Sequence, residues 1–335
     1  MILVTGGTGL VGAHLLYFLV KAGHNVRAIH RKNSDIGKAK RVFGYFDNQP
    51  DELFRRVKWI EANLIDLPAL TIAFKDVSIV YHAAAYVSFN PAHYHKLKKS
   101  NVEGTANIVN LCLQHQVQKL CYISSVAVLS KGVNAAVITE ENYWNAEESS
   151  SVYGITKYGA ETEVWRGTQE GLDAVILNPG IILGSGFWQS GTGAFFTKIN
   201  RSLPFYTTGV NAFVDVIDVV NIAIKLTTTP ITNERFILVS ENQSFGHVFK
   251  HIATALQQKP PTIQLRYWQL LVIYRLDWLL SLLGKKPGLF KSTVKASVEK
   301  RTYTNEKVRT MLGHEFIPLN ETIQRVAKDF LKDTV

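Results

Sequence analysis

Short, largely apolar runs alternate along the first two-thirds of the chain with longer stretches whose apolar positions return every three or four residues. The runs cover residues 2–5, 26–30, 57–61, 78–82, 120–124 and 174–178. Their continuous apolar character, rather than strict alternation, suits strands buried on both faces. The stretches 11–22, 94–115 and 153–170 carry the helical period. Such regular alternation predicts an α/β fold, a doubly wound parallel sheet covered by helices.

After Asn178 the rhythm changes. Pro179-Gly180 punctuates the sixth run, a glycine-rich stretch follows over 184–193, and 236–239 reads as one more strand returning to the sheet. Residues 259–318 are rich in aromatic, basic and proline residues without βα rhythm, which predicts a smaller C-terminal lobe.

Composition narrows the class. The chain has 335 residues, 46% of them hydrophobic and 19% charged, enough for a sizeable core without cross-links. Its two cysteines, Cys112 and Cys121, fall in a helical and a strand pattern and read as small buried hydrophobes. A cytoplasmic location is expected, because the chain opens directly on a strand and no apolar run is long enough to span a bilayer. The net charge is +10, but the basic residues are scattered rather than striped with aromatics. Neither nucleic-acid binding nor membrane association is therefore expected.

Between the first strand and the first helix stands Thr5-Gly6-Gly7-Thr8-Gly9-Leu10-Val11-Gly12. Glycines at 6, 9 and 12 permit a tight turn and remove the Cβ where backbone must approach a pyrophosphate. The helix that follows offers free N–H groups and a partial positive charge. In that context the turn predicts a dinucleotide site in a Rossmann-type fold, with Thr8, Leu10 and Val11 contributing backbone. The second strand ends in His30-Arg31-Lys32, with no acid until Asp35. An acid here would hold the ribose hydroxyls of NAD(H), whereas a guanidinium matches a 2′-phosphate. NADP(H) is expected over NAD(H), with Arg31 as phosphate ligand and Lys32 or Ser34 assisting.

Tyr153 and Lys157 are four apart at the start of a helix and share a face. A phenol, with an ordinary pKa of ~10, needs a neighbouring ammonium to work near neutral pH. Ser124-Ser125 ends the fifth strand, at the edge where open α/β sheets bind ligands. Ser125 is placed to bond a substrate oxygen. Ser124 reads equally as a capping or turn residue.

Together these residues resemble the extended short-chain dehydrogenases/reductases. Gly6, Gly9 and Gly12 match the cofactor turn, and Ser125, Tyr153 and Lys157 the catalytic triad. His82-Ala83-Ala84-Ala85 resembles the segment after the fourth strand, Asn101-Val102-Glu103-Gly104-Thr105 the N-x-x-G-T motif, Asn178-Pro179-Gly180 the segment beside the nicotinamide, and 213–219 the F-V-D-V-x-D-V stretch. The chain is most similar to the dihydroflavonol-reductase-like branch, which also resembles 3β-hydroxysteroid dehydrogenases. Residues 303–312 with Gly313 look like that branch's closing helix. Two departures stand out. Ala62-Asn63-Leu64 replaces Gly-Asp-Leu, leaving the Asn63 carbonyl for adenine, and Leu129-Ser130 replaces the Tyr-Gly of nucleotide-sugar enzymes.

The resemblance implies cofactor contacts from Asn63, Leu64, Ala83, Ala84, Ala85, Asn101, Lys157, Pro179, Gly180 and Ile181. It implies a cofactor domain over 1–180, completed by roughly 212–240, with 181–211 and 241–335 forming the substrate-binding lobe. It also implies a homodimer through the two central helices. The expected function is NADPH-dependent reduction of an aldehyde or ketone of a small, apolar substrate. An NAD-dependent nucleotide-sugar epimerase or dehydratase is the alternative, and a silent NADP-binding regulator a third reading.

His93 and His95 read as surface helix residues, and no metal site is expected. The segment 268–283 reads as a wall of an apolar pocket or plain core, with a membrane-surface helix as the rival. Phe187, Trp188 and Phe205 are expected near the substrate.

Overall fold

The computed structural model describes residues 1–132, 136–148, 151–282, 284 and 287–334. Its strands are β1 (Ile2–Thr5), β2 (Val26–His30), β3 (Lys58–Glu61), β4 (Ile79–His82), β5 (Lys119–Ile123), β6 (Ala174–Pro179), β7 (Ile181–Leu183), β8 (Phe205–Tyr206), β9 (Val210–Asp215), β10 (Glu234–Leu238), β11 (Glu241–Ser244) and β12 (Ile263–Gln264).

Seven of them form a sheet in the order β10-β6-β5-β4-β1-β2-β3, every pairing parallel. This is the doubly wound Rossmann-type arrangement expected. Successive residues of each strand serve opposite cores. Val4, Tyr81, Cys121 and Val175 face a core built with helices Leu10–Lys21 and Val216–Thr227. Leu3, Val80, Leu120 and Ile176 face the other, built with helices Gly104–Gln114 and Val152–Gln169. Burial on both faces is why the strands read as unbroken apolar runs. Both cysteines are buried and free, and burial pushes their thiols up.

Strand order reverses between β1 and β4, so connections leave the sheet there in opposite directions. That leaves a crevice beyond the carboxyl ends of the central strands. β7, β9 and antiparallel β11 make a small second sheet beside β6. A separate core contains Leu183, Trp188, Phe196, Ile252, Ile323 and Phe330. Trp188 is therefore a core residue. Its indole donates to Asp333 at 2.6 Å, and it packs on Phe196 and Phe330, a correction to its expected place beside substrate.

The stretch 213–219 is a structural clasp. Asp215 caps the helix Val216–Thr227 through the Ile217 N–H at 2.8 Å and receives two bonds from Arg325, at 2.7 and 2.6 Å. Asp218 accepts from His314 Nε2 at 2.9 Å and the Ile317 N–H at 3.0 Å. The C-terminal segment is thereby fastened to the sheet.

Three expectations differ from what is seen. The predicted helix 94–115 contains a π-turn at Lys98–Glu103, which carries Asn101. Helix Glu306–Leu312 ends on Gly313 at φ +57°, but the helix Leu319–Thr334 follows and closes the chain. The helix Tyr267–Leu282 buries only Leu270, so 268–282 is not plain core (Leu283 lies outside the described residues). Among the described residues no helix is long and apolar enough to cross a membrane, and no cluster of His, Cys, Asp or Glu could hold a metal.

Candidate active site

The glycine turn sits at the carboxyl end of β1. Gly6 adopts φ +73°, and a Cβ there would fall 2.7 Å from the Ala84 backbone nitrogen. A Cβ on Gly12 would fall 2.1 Å from the Gly6 carbonyl oxygen. That same carbonyl accepts the Gly9 N–H at 2.9 Å, which closes the turn. Gly9 caps the helix Leu10–Lys21 without a side chain, and the first turn carries no acid. The helix start therefore keeps its backbone donors and its positive potential for an anion. Thr8, Leu10 and Val11 are half-buried around it. The residues present fit a dinucleotide pyrophosphate.

Ser125, Tyr153 and Lys157 come together at the ends of β5 and the helix Val152–Gln169. Ser125 follows β5 in extended conformation and its hydroxyl accepts the Ala127 N–H at 3.1 Å. Ser151 caps the helix through the Gly154 N–H, which puts Tyr153 and Lys157 in the first turns. Tyr153 is half-buried with Phe89 edge-on at 5.7 Å. Desolvation pushes its phenol up to about 12, opposed by a hydrogen bond with Ser125.

Lys157 is fully buried, and desolvation lowers its ammonium to about 7 against the pull of Glu161. It donates to the Tyr122 hydroxyl at 2.6 Å and to the Ile123 carbonyl at 2.8 Å. The expected lowering of the Tyr153 phenol by Lys157 is thus absent here, because the ammonium is turned toward β5. Tyr122 belongs to a longer buried chain. Its hydroxyl bonds Thr105, Thr105 bonds His82 Nε2 at 3.0 Å, and His82 Nδ1 lies 2.6 Å from Thr5 Oγ1. Thr5 Oγ1 accepts the Ala84 N–H at 3.2 Å. Burial holds His82 neutral, at about 3. The chain links the glycine turn to Lys157 beneath the crevice.

Glu161 lies one turn beyond Lys157, on the same face. It accepts from Ser124 Oγ at 2.5 Å and Asn178 Nδ2 at 2.9 Å, with Arg235 at 3.5 Å. Asn178 also donates to the Ser125 carbonyl at 3.2 Å. Ser124, left open as a turn residue, is an anchor for Glu161. The carboxylate ties the ends of β5 and β6 to the helix bearing Tyr153 and Lys157.

The remaining predicted residues lie along the same edge. Arg31 is exposed at the end of β2, and among the described residues its guanidinium makes no hydrogen bond or ion pair. Asn63 is exposed past the end of β3, while Leu64 is buried beneath Gly104. Ala83 and Ala84 are half-buried and Ala85 exposed beside the turn. Pro179 ends β6, and Gly180 fits where a Cβ would stand 2.6 Å from the Ala212 carbonyl oxygen, with Ile181 opening β7. Asn101 is buried. Its amide bonds the Tyr86 N–H at 2.7 Å, the Tyr86 carbonyl at 3.0 Å and Thr156 at 3.3 Å. It fixes the loop after β4 against the helix Val152–Gln169. His93 bonds Ser88 at 2.9 Å and Tyr86 at 3.2 Å.

The glycine turn at the switch point, with Ser125, Tyr153 and Lys157 at the next strand ends, matches one known group over residues 2–237, the NAD dependent epimerase/dehydratase family. The chain belongs to this family. As a member it is an NAD(P)-dependent enzyme of the extended short-chain dehydrogenase/reductase type. It is 30% identical over 321 residues to a putative dihydroflavonol 4-reductase of Synechocystis sp., covering 92% of this chain and 88% of the relative. The solved structure of gox2253 superimposes with a TM-score of 0.82 at 26% identity, covering 99% of this chain and 98% of that one. A UDP-glucose 4-epimerase of Thermotoga maritima, with UDP-glucose, shares the fold at a TM-score of 0.78 and 20% identity, covering 100% and 99%.

Proposed function

We propose that this chain is an NADPH-dependent carbonyl reductase that acts on an aldehyde or ketone of a small, apolar substrate. The meeting of Ser125 and Tyr153 above a buried lysine, at the carboxyl ends of the central strands, carries the reading. The cofactor, when bound, supplies the hydride. Ser125 and Tyr153 hydroxyls hold the substrate carbonyl oxygen, and Tyr153 gives its proton to that oxygen as negative charge develops there. A phenol held near 12 is fully protonated at neutral pH, the state a proton donor needs. Lys157 supplies the positive charge that eases loss of that proton once its ammonium is turned toward the site. Phe89 against Tyr153 gives the entrance an apolar wall.

The exposed guanidinium of Arg31, unpaired among the described residues, supports the preference for NADPH, since a planar cation at the end of β2 suits a 2′-phosphate. The reductase name of the 30%-identical relative agrees. The rival, a nucleotide-sugar epimerase, draws on the shared fold of the Thermotoga maritima enzyme. Leu129-Ser130, where sugar-nucleotide enzymes have Tyr-Gly, favours the reductase.

A panel of aromatic and aliphatic aldehydes and ketones, followed by NADPH oxidation, tests the proposal. Tyr153→Phe is expected to lower turnover by about 10²–10⁴ while leaving NADPH affinity nearly intact. Loss of both together would make Tyr153 structural and sink the proposed role.

A further inference from the structure

The helix Tyr267–Leu282 is built inside out. Its inward stripe is Leu270, Tyr274, Asp277 and Ser281, so two polar side chains face the protein. Asp277 accepts the N–H groups of Gly288 at 2.8 Å and Leu289 at 2.9 Å, which fixes this orientation. The outward face carries Trp268 at 61% exposure, Leu276 at 55% and Leu279 at 51%, with Val272, Ile273 and Leu280 between them. Single exposed apolar residues are ordinary on a protein surface, but a continuous face of this kind marks a contact surface.

Its surroundings indicate the partner. Residues 259–298 hold seven basic residues and a single acid, Asp277, which is turned inward. Arg266 and Arg275 are exposed on and beside the helix, and Lys291 and Lys295 are exposed on the helix Lys291–Val298 that packs against it. The exposed aromatics Tyr267, Trp268 and Trp278 combine an apolar ring with a polar edge, as suits a headgroup boundary. Sixteen helical residues span about 24 Å, short of the ~30 Å of a hydrocarbon core, so such a helix lies along a bilayer rather than across it. Arg275 can extend its head to phosphates while its stem stays among the apolar side chains. A second copy fits less well. Two helices paired antiparallel about the middle of this face would bring Arg275 against its counterpart, with no outward acid on the helix to answer it.

We propose that this helix lies in the headgroup region of an anionic lipid bilayer and holds the protein peripherally at a membrane surface. This is independent of which substrate the enzyme reduces. Full-length protein is floated with vesicles of phosphatidylcholine alone and with vesicles that also contain phosphatidylglycerol, and tryptophan emission is followed. Flotation with the anionic vesicles, weakened by salt, with a blue-shifted emission is the expected result. The double variant Leu276→Asp/Leu279→Asp is expected to bind at least tenfold more weakly with an unchanged circular-dichroism spectrum. Should that variant misfold, Arg275→Glu/Lys295→Glu tests the charge contribution and is expected to abolish the preference for anionic vesicles. Wild-type protein that stays unbound to both vesicle types overturns the proposal, as does equal flotation of wild type and folded variants. A wild-type dimer that ignores vesicles and that Leu276→Asp/Leu279→Asp dissociates overturns it too, and assigns the face to a second copy.

Discussion

Lys157 Nζ lies 2.6 Å from the hydroxyl of Tyr122, and both are fully buried. The lysine is held against β5 by a side chain whose neighbours run through Thr105 and His82 to Thr5. A phenylalanine at 122 would keep the packing and remove this oxygen. Tyr122→Phe is expected to fold normally, bind NADPH within about threefold of wild type, and lose about 10–10²-fold in kcat, since one hydrogen bond to a charged group is worth about 1.5–3 kcal/mol. It is also expected to shift the pH profile of kcat. Steady-state kinetics across pH with a responsive carbonyl substrate checks this. A lower kcat with an unmoved pH profile would make Tyr122 a packing residue.

The buried ammonium has a consequence for stability. Lys157 sits at about 7 in the folded chain against an ordinary 10.5, so between those values the unfolded chain binds more protons. Stability from this residue therefore rises with pH across that window, and its cost is full below about 7. The thiols of Cys112 and Cys121, raised in the fold, act oppositely toward the upper end. Comparing variant with wild type isolates the lysine. Urea unfolding of cofactor-free Lys157→Met between pH 7 and 9 is expected to show less gain with pH than wild type. An identical slope would place Lys157 in a more hydrated setting.

Gly12 leaves no room for change. A Cβ there would stand 2.1 Å from the Gly6 carbonyl oxygen, an acceptor that cannot move without opening the turn. Gly12→Ala is expected to cost about 1–3 kcal/mol of stability, typical of overpacking, and to abolish nucleotide binding. Thermal unfolding with and without NADPH measures both. Unaltered nucleotide affinity would mean that the turn is not the pyrophosphate cradle.

Much of this site was legible in the sequence because its chemistry restricts residue choice. Gly6 and Gly12 are dictated by backbone approach, and Tyr153 and Lys157 by helical spacing. Glu161 was missed, although it stands four residues past Lys157, because its role lies in Ser124 and Asn178, which arrive from two other strands. Tyr122 was hidden within an apolar strand, where only the fold shows its hydroxyl meeting Lys157. The helix Tyr267–Leu282 misled for a different reason. Apolar composition predicts burial, and only the placement of Asp277 reveals that the apolar face points outward.

The proposed preference for NADP(H) rests on Arg31. If Arg31 holds the 2′-phosphate, removing its guanidinium costs NADPH a charge-assisted contact and costs NADH nothing. Arg31→Ala is expected to weaken NADPH about tenfold or more and leave NADH within about twofold, read by quenching of protein fluorescence. Equal weakening of both would remove Arg31 from the 2′-phosphate.

The identity and exchangeability of the nucleotide test the reductase reading most directly. Freshly purified protein is denatured and any released nucleotide identified, and nucleotide-free protein is then titrated with NADPH and NADH. The expected result is weak retention, with NADPH bound at least tenfold more tightly than NADH. Stoichiometric NAD that resists exchange would contradict it and turn the search to sugar nucleotides.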